Sequence, residues 1–347
     1  MRASFILASL FAAAKVLSHP GADHAAEAAE RAEYFKQHQV KRDLSHCAGK
    51  LDARGHTKRA IVRRQELYRS LQLAHGLENR APSDINKSHH SDQDYDLHTP
   101  PELLFGTNNS CILSPEVILG PYYVAGEFVR KDITDDQRGV PLYLDTQVID
   151  INTCDPVART YIEIWHANAT GVYSGVVAEG NGVESDQANL NRTYLRGIQP
   201  TDPDGISTFK SIWPGHYAGR TTHIHVIAHI NATMLPNGTI MNTVASHVGQ
   251  MYFDQSLIYE VEKYSPYTDN TQSLTLNAED DILAQGAETS DPLMTWVYLG
   301  KEAKDGILAW LNFGIDTTIV SNLSAASFYY KDGGVTNPNP EPIVPPS

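Results

Sequence analysis

Residues 222–230 read THIHVIAHI, and this alternation is the strongest fold signal in the 347-residue chain. Its apolar positions recur at every second residue, the period of a β-strand with one buried face, and they are Ile224, Val226, Ala228 and Ile230. His223 and His225 share the opposite face, about 6.6 Å apart along the strand. His229 has the same parity but lies about 13 Å beyond His225, too far to join them. The stretch therefore predicts a strand whose polar face carries two imidazoles close enough to hold one metal ion.

Two tyrosines end glycine-containing turns that precede this strand. Tyr217 ends WPGHY at residues 213–217, and Tyr173 ends WHANATGVY at residues 165–173. A histidine pair two residues apart is an incomplete metal site by itself, and a single tyrosine in a turn usually serves only packing. The two tyrosine-ending turns nevertheless strengthen the histidine pair as a candidate metal site.

These residues are part of an ordered set of motifs between residues 111 and 298. The set resembles the intradiol ring-cleaving dioxygenases and is most similar to their secreted fungal branch. The resemblance rests on LSPE at 113–116 with GPYY at 120–123, EIWHAN at 163–168, YLRG at 194–197 with TDPDG at 201–205, PGHY at 214–217, and GR at 219–220 with HIH at 223–225. Five matches in order are specific, whereas an isolated histidine pair is not.

The resemblance implies a non-haem Fe(III) centre. The iron ligands of the family fall on Tyr173, Tyr217, His223 and His225. Tyrosinate is a hard anionic oxygen donor, so two tyrosinates favour ferric iron over ferrous iron and over softer metals. Free tyrosine has a pKa near ~10, and a trivalent cation is expected to remove that proton, as metals do for water and thiols. Two neutral imidazoles complete the ligand set and leave a position for hydroxide or substrate.

The resemblance also implies the reaction. A small aromatic diol of the catechol type would bind iron in place of Tyr217. O2 would then cleave the ring between the two hydroxyl-bearing carbons and give a muconate-type diacid. Arg220 falls where the family keeps an arginine beside the substrate, which suits it to stabilise negative charge that develops on the ring. The expected catalytic residues are therefore Arg220 and Tyr217, and the expected substrate-binding residues are Arg220 and Gln250.

A second class of function is compatible with the same sequence. It is a β-sandwich module without turnover that binds plant-wall phenolic or glycan material. A decayed site usually lacks at least one ligand, whereas all four candidate ligands and Arg220 are present here, so the enzyme is favoured. The motifs do not identify the natural catechol, because ring substituents are sensed by pocket residues outside them, and they do not define the oligomeric state.

The charge of the chain excludes some classes of partner. Its formal net charge is −14 at pH 7. Nucleic acids and anionic membranes are bound through basic patches, so this balance argues against both as general partners. It has no bearing on a small aromatic substrate. The length allows a full hydrophobic core, and the single array of motifs indicates one catalytic domain with extensions.

The N-terminus predicts secretion. Residues 1–18 place an apolar run behind Arg2, which is typical of a signal peptide, the alternative being a buried helix. No later run approaches the roughly 18 apolar residues that a membrane-spanning helix needs, which favours a secreted protein over an anchored one. Sequons for N-glycosylation, expected of a secreted glycoprotein, lie at Asn86, Asn108, Asn191, Asn231, Asn237 and Asn322.

The three cysteines are interpreted in the same way. Cys111 and Cys154 bracket the first block of motifs, and in an oxidising compartment they are the candidate disulfide. Cys47 is left over in the N-terminal extension, and we expect it to stay apart from the other two.

The predicted fold class is mainly β, with a β-sandwich catalytic domain at residues 102–330. Short β-branched and aromatic runs alternate there with turn residues, which is typical of such a sandwich. Besides the histidine strand, the clearest predicted strands are residues 146–151, 160–165 and 206–210.

The remaining segments differ in composition. Residues 19–78 predict an α-helical N-terminal extension, and the dibasic pairs at 41–42 and 58–59 make it a candidate propeptide. The alternative is that these pairs are charges on exposed helix faces. Residues 79–101 are polar and predict a linker, and residues 331–347 predict a disordered, proline-rich tail.

Overall fold

The computed structural model of the protein describes residues 43–77, 100–106, 110–113, 122–241, 244–245, 247–319, 321–322 and 325–338. The predicted signal peptide at residues 1–18 lies outside the described residues, as do residues 19–42 of the predicted extension and nearly all of the predicted linker. The boundaries of these segments stay predictions.

Strand is more frequent than helix in the described residues, so the fold is mainly β, as predicted. The helices are α1 Ala48–Ala53, α2 His56–Ala74, α3 Pro101–Phe105, α4 Gln255–Val261 and α5 Asp281–Thr289, with 3-10 turns at Ser45–Cys47, Gln187–Asn191, Tyr267–Asp269, Asn277–Glu279 and Ala303–Asp305. The strands are β1 Ser110–Ile112, β2 Val124–Ala125, β3 Pro141–Asp150, β4 Tyr161–Trp165, β5 Arg196–Pro200, β6 Ile206–Ile212, β7 His223–His229, β8 Thr233–Met234, β9 Ile240–Met241, β10 Val244–Ala245, β11 His247–Tyr252, β12 Thr295–Tyr298, β13 Ile307–Ile315, β14 Ser321–Asn322, β15 Ser327–Tyr330 and β16 Gly333–Thr336.

Two larger sheets organise these strands. The first has the order β1–β13–β3–β6, with β12 also paired to β13; β13 is parallel to β1 and β3, and β6 is antiparallel to β3. The second sheet is antiparallel and has the order β11–β7–β4–β5. The largest apolar cluster includes Leu144 of β3, Ile164 of β4 and Val226 of β7. The main core therefore draws on both sheets.

The strand predicted from alternation is confirmed. It is β7, and Ile224, Val226 and Ala228 are all buried in the main core. The three other predicted strands correspond to β3, β4 and β6. Strand β3 begins five residues before its predicted start, because pairing with β13 and β6 on its two sides extends the strand beyond its β-branched run. Period and composition located the strands, and pairing set their lengths.

Helix α2 covers part of the first sheet. Its Tyr68 shares an apolar cluster with Leu308 and Trp310 of β13, whereas Ala309 and Leu311 of the same strand face the main core. Alternate residues of β13 are thus buried against the two different layers. The helix is packed against the sheet rather than extended into solvent.

Buried arginines fix α2 in place. The Arg64 guanidinium is fully buried, lies 5.2 Å from the ring of Trp310 and donates to the carbonyl oxygen of Phe105 at 3.0 Å. Asp145 of β3 accepts two hydrogen bonds from Arg63, each 2.9 Å long. Burial lowers the pKa of Arg64 to about 10, although the Asp145 carboxylate acts in the opposite direction. The dibasic pair at 58–59 lies inside this anchored helix, where Arg59 is 2.8 Å from Asp204.

The predicted Cys111–Cys154 disulfide is wrong. The disulfide joins Cys47 to Cys154, with their Cα atoms 5.3 Å apart. Cys111 and Ile112 are neighbours in β1 and therefore point to opposite faces of the sheet. Ile112 shares an apolar cluster with Cys47 and Cys154, whereas Cys111 is buried in the main core. Strand parity thus directs Cys111 away from Cys154, and Cys47 does not stay apart.

The predicted disordered tail is wrong for its first residues. Residues 333–336 form β16, which pairs antiparallel with β15. The turn between these strands uses Gly333 at φ 112°. Gly334 passes so close to the carbonyl of Leu190 that a side chain would not fit there. These two glycines therefore permit the pairing of β15 with β16, which the composition of residues 331–347 did not indicate. Residues 339–347 lie outside the described residues.

Among the residues that the structure describes, the helices are too short or too polar to cross a lipid bilayer.

Candidate active site

The second sheet carries one face of the site. In its register, His225 of β7 lies between Trp165 of β4 and Gln250 of β11, and His223 lies opposite Tyr252. These five residues share the face of the sheet that is turned away from the main core, because Ile224 and Val226 occupy the core face. The sheet therefore brings the histidine pair together with polar and aromatic groups that lie far apart in the sequence.

The loop after β4 presents Tyr173. Gly171, at φ 80°, allows the chain to turn back before this residue. The backbone NH of Tyr173 donates to Asn181 Oδ1 at 2.7 Å, and its carbonyl accepts from Asn181 Nδ2 at 2.9 Å and from Asn189 Nδ2 at 2.8 Å. Two buried asparagines thus hold both backbone groups of Tyr173 and fix the direction of its ring.

A second loop, between β6 and β7, presents Tyr217. Gly219, at φ 88°, forms its turn, and the Gly219 NH donates to Thr275 Oγ1 at 2.8 Å. Gly215 lies against the backbone of Asn168 in the Tyr173 loop, where a Cβ atom would not fit. The two tyrosine loops therefore pack backbone to backbone, which brings their tyrosines close together.

All four predicted ligands converge. His223 Nε2 lies 3.1 Å from His225 Nε2, 3.2 Å from the Tyr217 hydroxyl and 3.5 Å from the Tyr173 hydroxyl. The rings of Tyr173 and Tyr217 are nearly perpendicular, with centroids 5.6 Å apart. The four side chains are almost entirely buried. They form a compact set of two oxygen and two nitrogen donor atoms, called the donor cluster below.

The protonation states of the donor cluster follow from its burial. Burial, together with the neighbouring phenol of Tyr173 in the case of Tyr217, raises the pKa of both tyrosines. Burial, with the charge of Arg220, lowers the pKa of His223 to about 3, so this imidazole is neutral. His223 Nδ1 donates to the carbonyl oxygen of Thr221 at 2.6 Å, which leaves the Nε2 lone pair directed into the cluster. The protein thus supplies a neutral nitrogen from His223, and the phenols need a nearby cation to ionise them.

Aromatic rings pack on both sides of the donor cluster. Trp165 stacks on His225, with ring centroids 4.7 Å apart and planes 5° from parallel. Tyr122 stacks on Tyr173 at 4.7 Å. Trp165 and Tyr122 belong to the quoted motifs but received no role from the sequence. The structure shows that they hold the rings of two candidate ligands.

Arg220 lies in a buried polar group beside His223. Its Nε donates to Asp280 Oδ2 at 2.8 Å, and one terminal nitrogen donates to Gln250 Oε1 at 2.5 Å and to the Tyr252 hydroxyl at 3.1 Å. Burial disfavours the charged guanidinium, but the Asp280 carboxylate outweighs this effect and raises the pKa of Arg220. The structure thus joins the two predicted substrate-binding residues, Arg220 and Gln250, by a direct hydrogen bond.

Sequence reasoning missed Tyr252 and Asp280. Tyr252 had a usable signal, because it has the same strand parity as Gln250 two residues earlier. For Asp280, the sequence contains no signal other than its position before a helix. His229, which was predicted not to join the pair, lies 2.7 Å from Glu163 Oε2 instead.

Comparisons with known proteins found a matching family model and several similar proteins. The family model described as Dioxygenase matches residues 118–287. Catechol 1,2-dioxygenase 1 from Acinetobacter lwoffii is 35% identical over 109 residues, which are 30% of this chain and 32% of that protein. A catechol 1,2-dioxygenase from Acinetobacter baylyi is 32% identical over the same length. The matches thus span about a third of the length of these curated relatives.

A solved structure is similar over a larger part of its length. It is an intradiol ring-cleavage dioxygenase from Tetranychus urticae, 31% identical in sequence, with a TM-score of 0.48. The match covers 59% of this chain and 95% of that protein.

Proposed function

This chain belongs to the intradiol ring-cleavage dioxygenase family, and on that premise we propose that it is a non-haem Fe(III) enzyme that cleaves catechol-type rings between the two hydroxyl-bearing carbons. The observation that carries the proposal is the donor cluster, in which three donor atoms lie within 3.5 Å of His223 Nε2. Four side chains from two loops and one strand meet there in a buried position.

The donor cluster fits ferric iron. Tyr173 and Tyr217 would supply two anionic oxygens, which a hard trivalent ion prefers, and His223 and His225 would supply two neutral nitrogens. The charge of the ion would compensate the two buried phenolates, whose formation burial otherwise opposes. Bound ferric iron would draw electron density from a catecholate and make its ring reactive toward O2.

The residues of the chain have separate tasks in this reaction. Tyr173 stays fixed, because Asn181 and Asn189 hold its backbone on both sides. Tyr217 would help to hold the iron before substrate binds, and its phenolate oxygen would be the base that accepts a proton from a catechol hydroxyl. Arg220 supplies a fixed positive charge for the negative charge that develops on the ring, an electrostatic role like that of an oxyanion hole.

The reaction balances without a further reductant. Catechol and O2 combine to a muconate-type diacid that contains both oxygen atoms, so the electrons that reduce O2 come from the ring. Gln250 and Tyr252 hold the Arg220 guanidinium by hydrogen bonds. Trp165 and Tyr122 cover the ligand rings and limit the access of water.

The wider setting is also proposed. We infer that the two sheets form a β-sandwich behind the helical N-terminal segment, which the shared main core supports. We further propose that the protein is secreted and glycosylated. The Cys47–Cys154 pairing supports secretion, because disulfides persist mainly in oxidising compartments.

The test combines colour, metal and product. The purified iron-loaded protein should be burgundy from tyrosinate-to-ferric charge transfer, and it should take up O2 with catechol, hydroxyquinol or protocatechuate and release a ring-opened diacid. His223→Ala and His225→Ala should lose iron and colour. His229→Gln is the matched control, because His229 shares their strand face but pairs with Glu163 at 2.7 Å, so iron and colour should remain.

Two outcomes would contradict the proposal. Stoichiometric iron retained in both alanine variants would show that these histidines are not the ligands. A colourless protein that binds phenolic compounds without O2 uptake would support the non-catalytic binding module instead.

A further inference from the structure

Asp280 connects a helix N-terminus to the donor cluster, although none of the sequence motifs includes it. It directly precedes α5 and is 1% exposed. Its Oδ1 accepts hydrogen bonds from the backbone NH groups of Ile282 and Leu283, each 2.9 Å long, and thereby caps the helix. The other oxygen of the carboxylate points toward β7 and has a different set of partners.

Asp280 Oδ2 holds two consecutive residues of the Tyr217 loop. It accepts from Arg220 Nε at 2.8 Å and from the Thr221 NH at 2.9 Å. The carbonyl of the same Thr221 accepts from His223 Nδ1 at 2.6 Å. One carboxylate therefore holds the guanidinium beside the site and the residue that orients a candidate ligand.

The two ends of the Arg220 guanidinium are held from opposite directions. Asp280 binds Nε, whereas Gln250 and Tyr252 bind a terminal nitrogen. A planar guanidinium held at both ends cannot rotate in its plane. Asp280 also balances the buried charge of Arg220, because its carboxylate forms an ion pair with the guanidinium at 2.8 Å.

We propose that Asp280 is a positioning residue for ring cleavage, which acts by holding Arg220 in the orientation that stabilises charge on the substrate. The inference rests on the proposed function of the donor cluster. The competing role is purely structural, with Asp280 serving only as the cap of α5. The two roles are separable, because they use different oxygens of the carboxylate.

The separating variant is Asp280→Ser. Serine is a good N-cap residue, so it keeps the cap of α5, but it is too short to reach Arg220. Asp280→Asn serves as a second variant of nearly unchanged size, which has one acceptor oxygen instead of two. Asp281→Asn is the matched control, since it removes an exposed negative charge from the first turn of the same helix.

The experiment is a double-mutant cycle with Arg220→Leu in the iron-loaded full chain. Asp280→Ser should keep iron and colour but lower kcat for catechol by roughly 10-fold or more, with a smaller change in KM, because a misplaced catalytic group loses transition-state stabilisation. In the Arg220→Leu background, the same substitution should have little further effect on kcat. Asp281→Asn should leave kcat unchanged.

An equal fold-loss of kcat in both backgrounds would overturn the proposal, as would a kcat for Asp280→Ser equal to that of the wild type. If Asp280→Ser does not fold, Asp280→Asn is compared in the same cycle. The thermal midpoint gives an independent readout: the Asp280→Ser, Arg220→Leu double variant should unfold at a higher temperature than Asp280→Ser alone, because it no longer buries an unbalanced charge. A double variant that unfolds at a lower temperature contradicts the pairing.

Failure of the proposed function gives a different result. Anaerobic titration with catechol, followed by the change in visible absorption, yields a Kd for each variant without turnover. A wild type that binds catechol but releases no ring-opened product would refute the proposed reaction. The thermal cycle would still report whether Asp280 and Arg220 act as a pair.

Discussion

Replacing Cys47 and Cys154 by alanine tests the Cys47–Cys154 disulfide, which is the most consequential difference between the structure and the prediction from the sequence. The disulfide joins residues 107 positions apart and closes a loop that contains β1, β3 and helix α2. Loop-closure entropy for a loop of roughly 100 residues is worth about 4.7 kcal/mol at 25 °C, so we expect the double variant to lose about 3–5 kcal/mol of unfolding free energy. The helices should stay docked, because Asp145 still binds Arg63 and Arg64.

The assay is equilibrium unfolding in guanidinium chloride, with and without a reducing agent. Reduction should bring the wild type down to the stability of the double variant and leave the variant unchanged. Cys111→Ala is the control: this residue is buried in the main core, so we expect a loss of about 1 kcal/mol, typical of a small core truncation. A Cys111–Cys154 peptide in a non-reducing digest, or a Cys111→Ala loss as large as that of the double variant, would refute the reasoning.

Arg220→Leu should lower kcat by roughly 10²-fold, as loss of one oxyanion-hole donor does, while the protein keeps its iron. Full iron with normal single-turnover ring cleavage would contradict this role. Burial of Glu127, opposed by Arg196 at 3.8 Å, raises the pKa of Glu127 to about 8 from its ordinary 4.5, so the contribution of Glu127 to stability should be largest below pH 4.5 and should fall as the pH rises toward 8. Glu127→Gln removes this ionisation. The unfolding free energy of the variant minus that of the wild type should therefore rise between about pH 5 and pH 8. If this difference does not change with pH, Glu127 ionises normally in the folded protein. The dibasic pair at 58–59 lies within α2, so a convertase should cut the folded protein only slowly after residue 59; rapid cleavage at 59 in a timed digest, read by mass, would show that α2 opens readily.

The sequence could predict those features of the site that depend on local order. Alternation from 222 to 230 located β7 and the shared face of its histidines, since side chains of a strand alternate irrespective of its partners. The motifs pointed to Tyr173 and Tyr217, because each ends a glycine-containing turn and falls on a ligand position of the family that the motifs resemble. Arg220 and Gln250 were identified by the same resemblance.

The tertiary structure decided which distant groups meet. Cys47 rather than Cys111 pairs with Cys154, because the parity of β1 buries Cys111 between the layers. The pairing of β16 with β15 depends on Gly333 and Gly334, and a segment rich in glycine and proline is equally typical of a disordered tail. Asp280 reaches Arg220 across 60 residues, and only the placement of α5 beside β7 makes that contact.

The sequence by itself thus located four of the strands and the shared face of the histidine pair, because backbone period is a local property, and its motifs indicated the residues of the donor cluster through their resemblance to a known family. The disulfide, the docking of α2 and the partner of Arg220 were decided only by the fold. The physical reason is that such contacts depend on how whole strands and helices pack, and packing depends on burial summed over many residues rather than on the residues that finally touch.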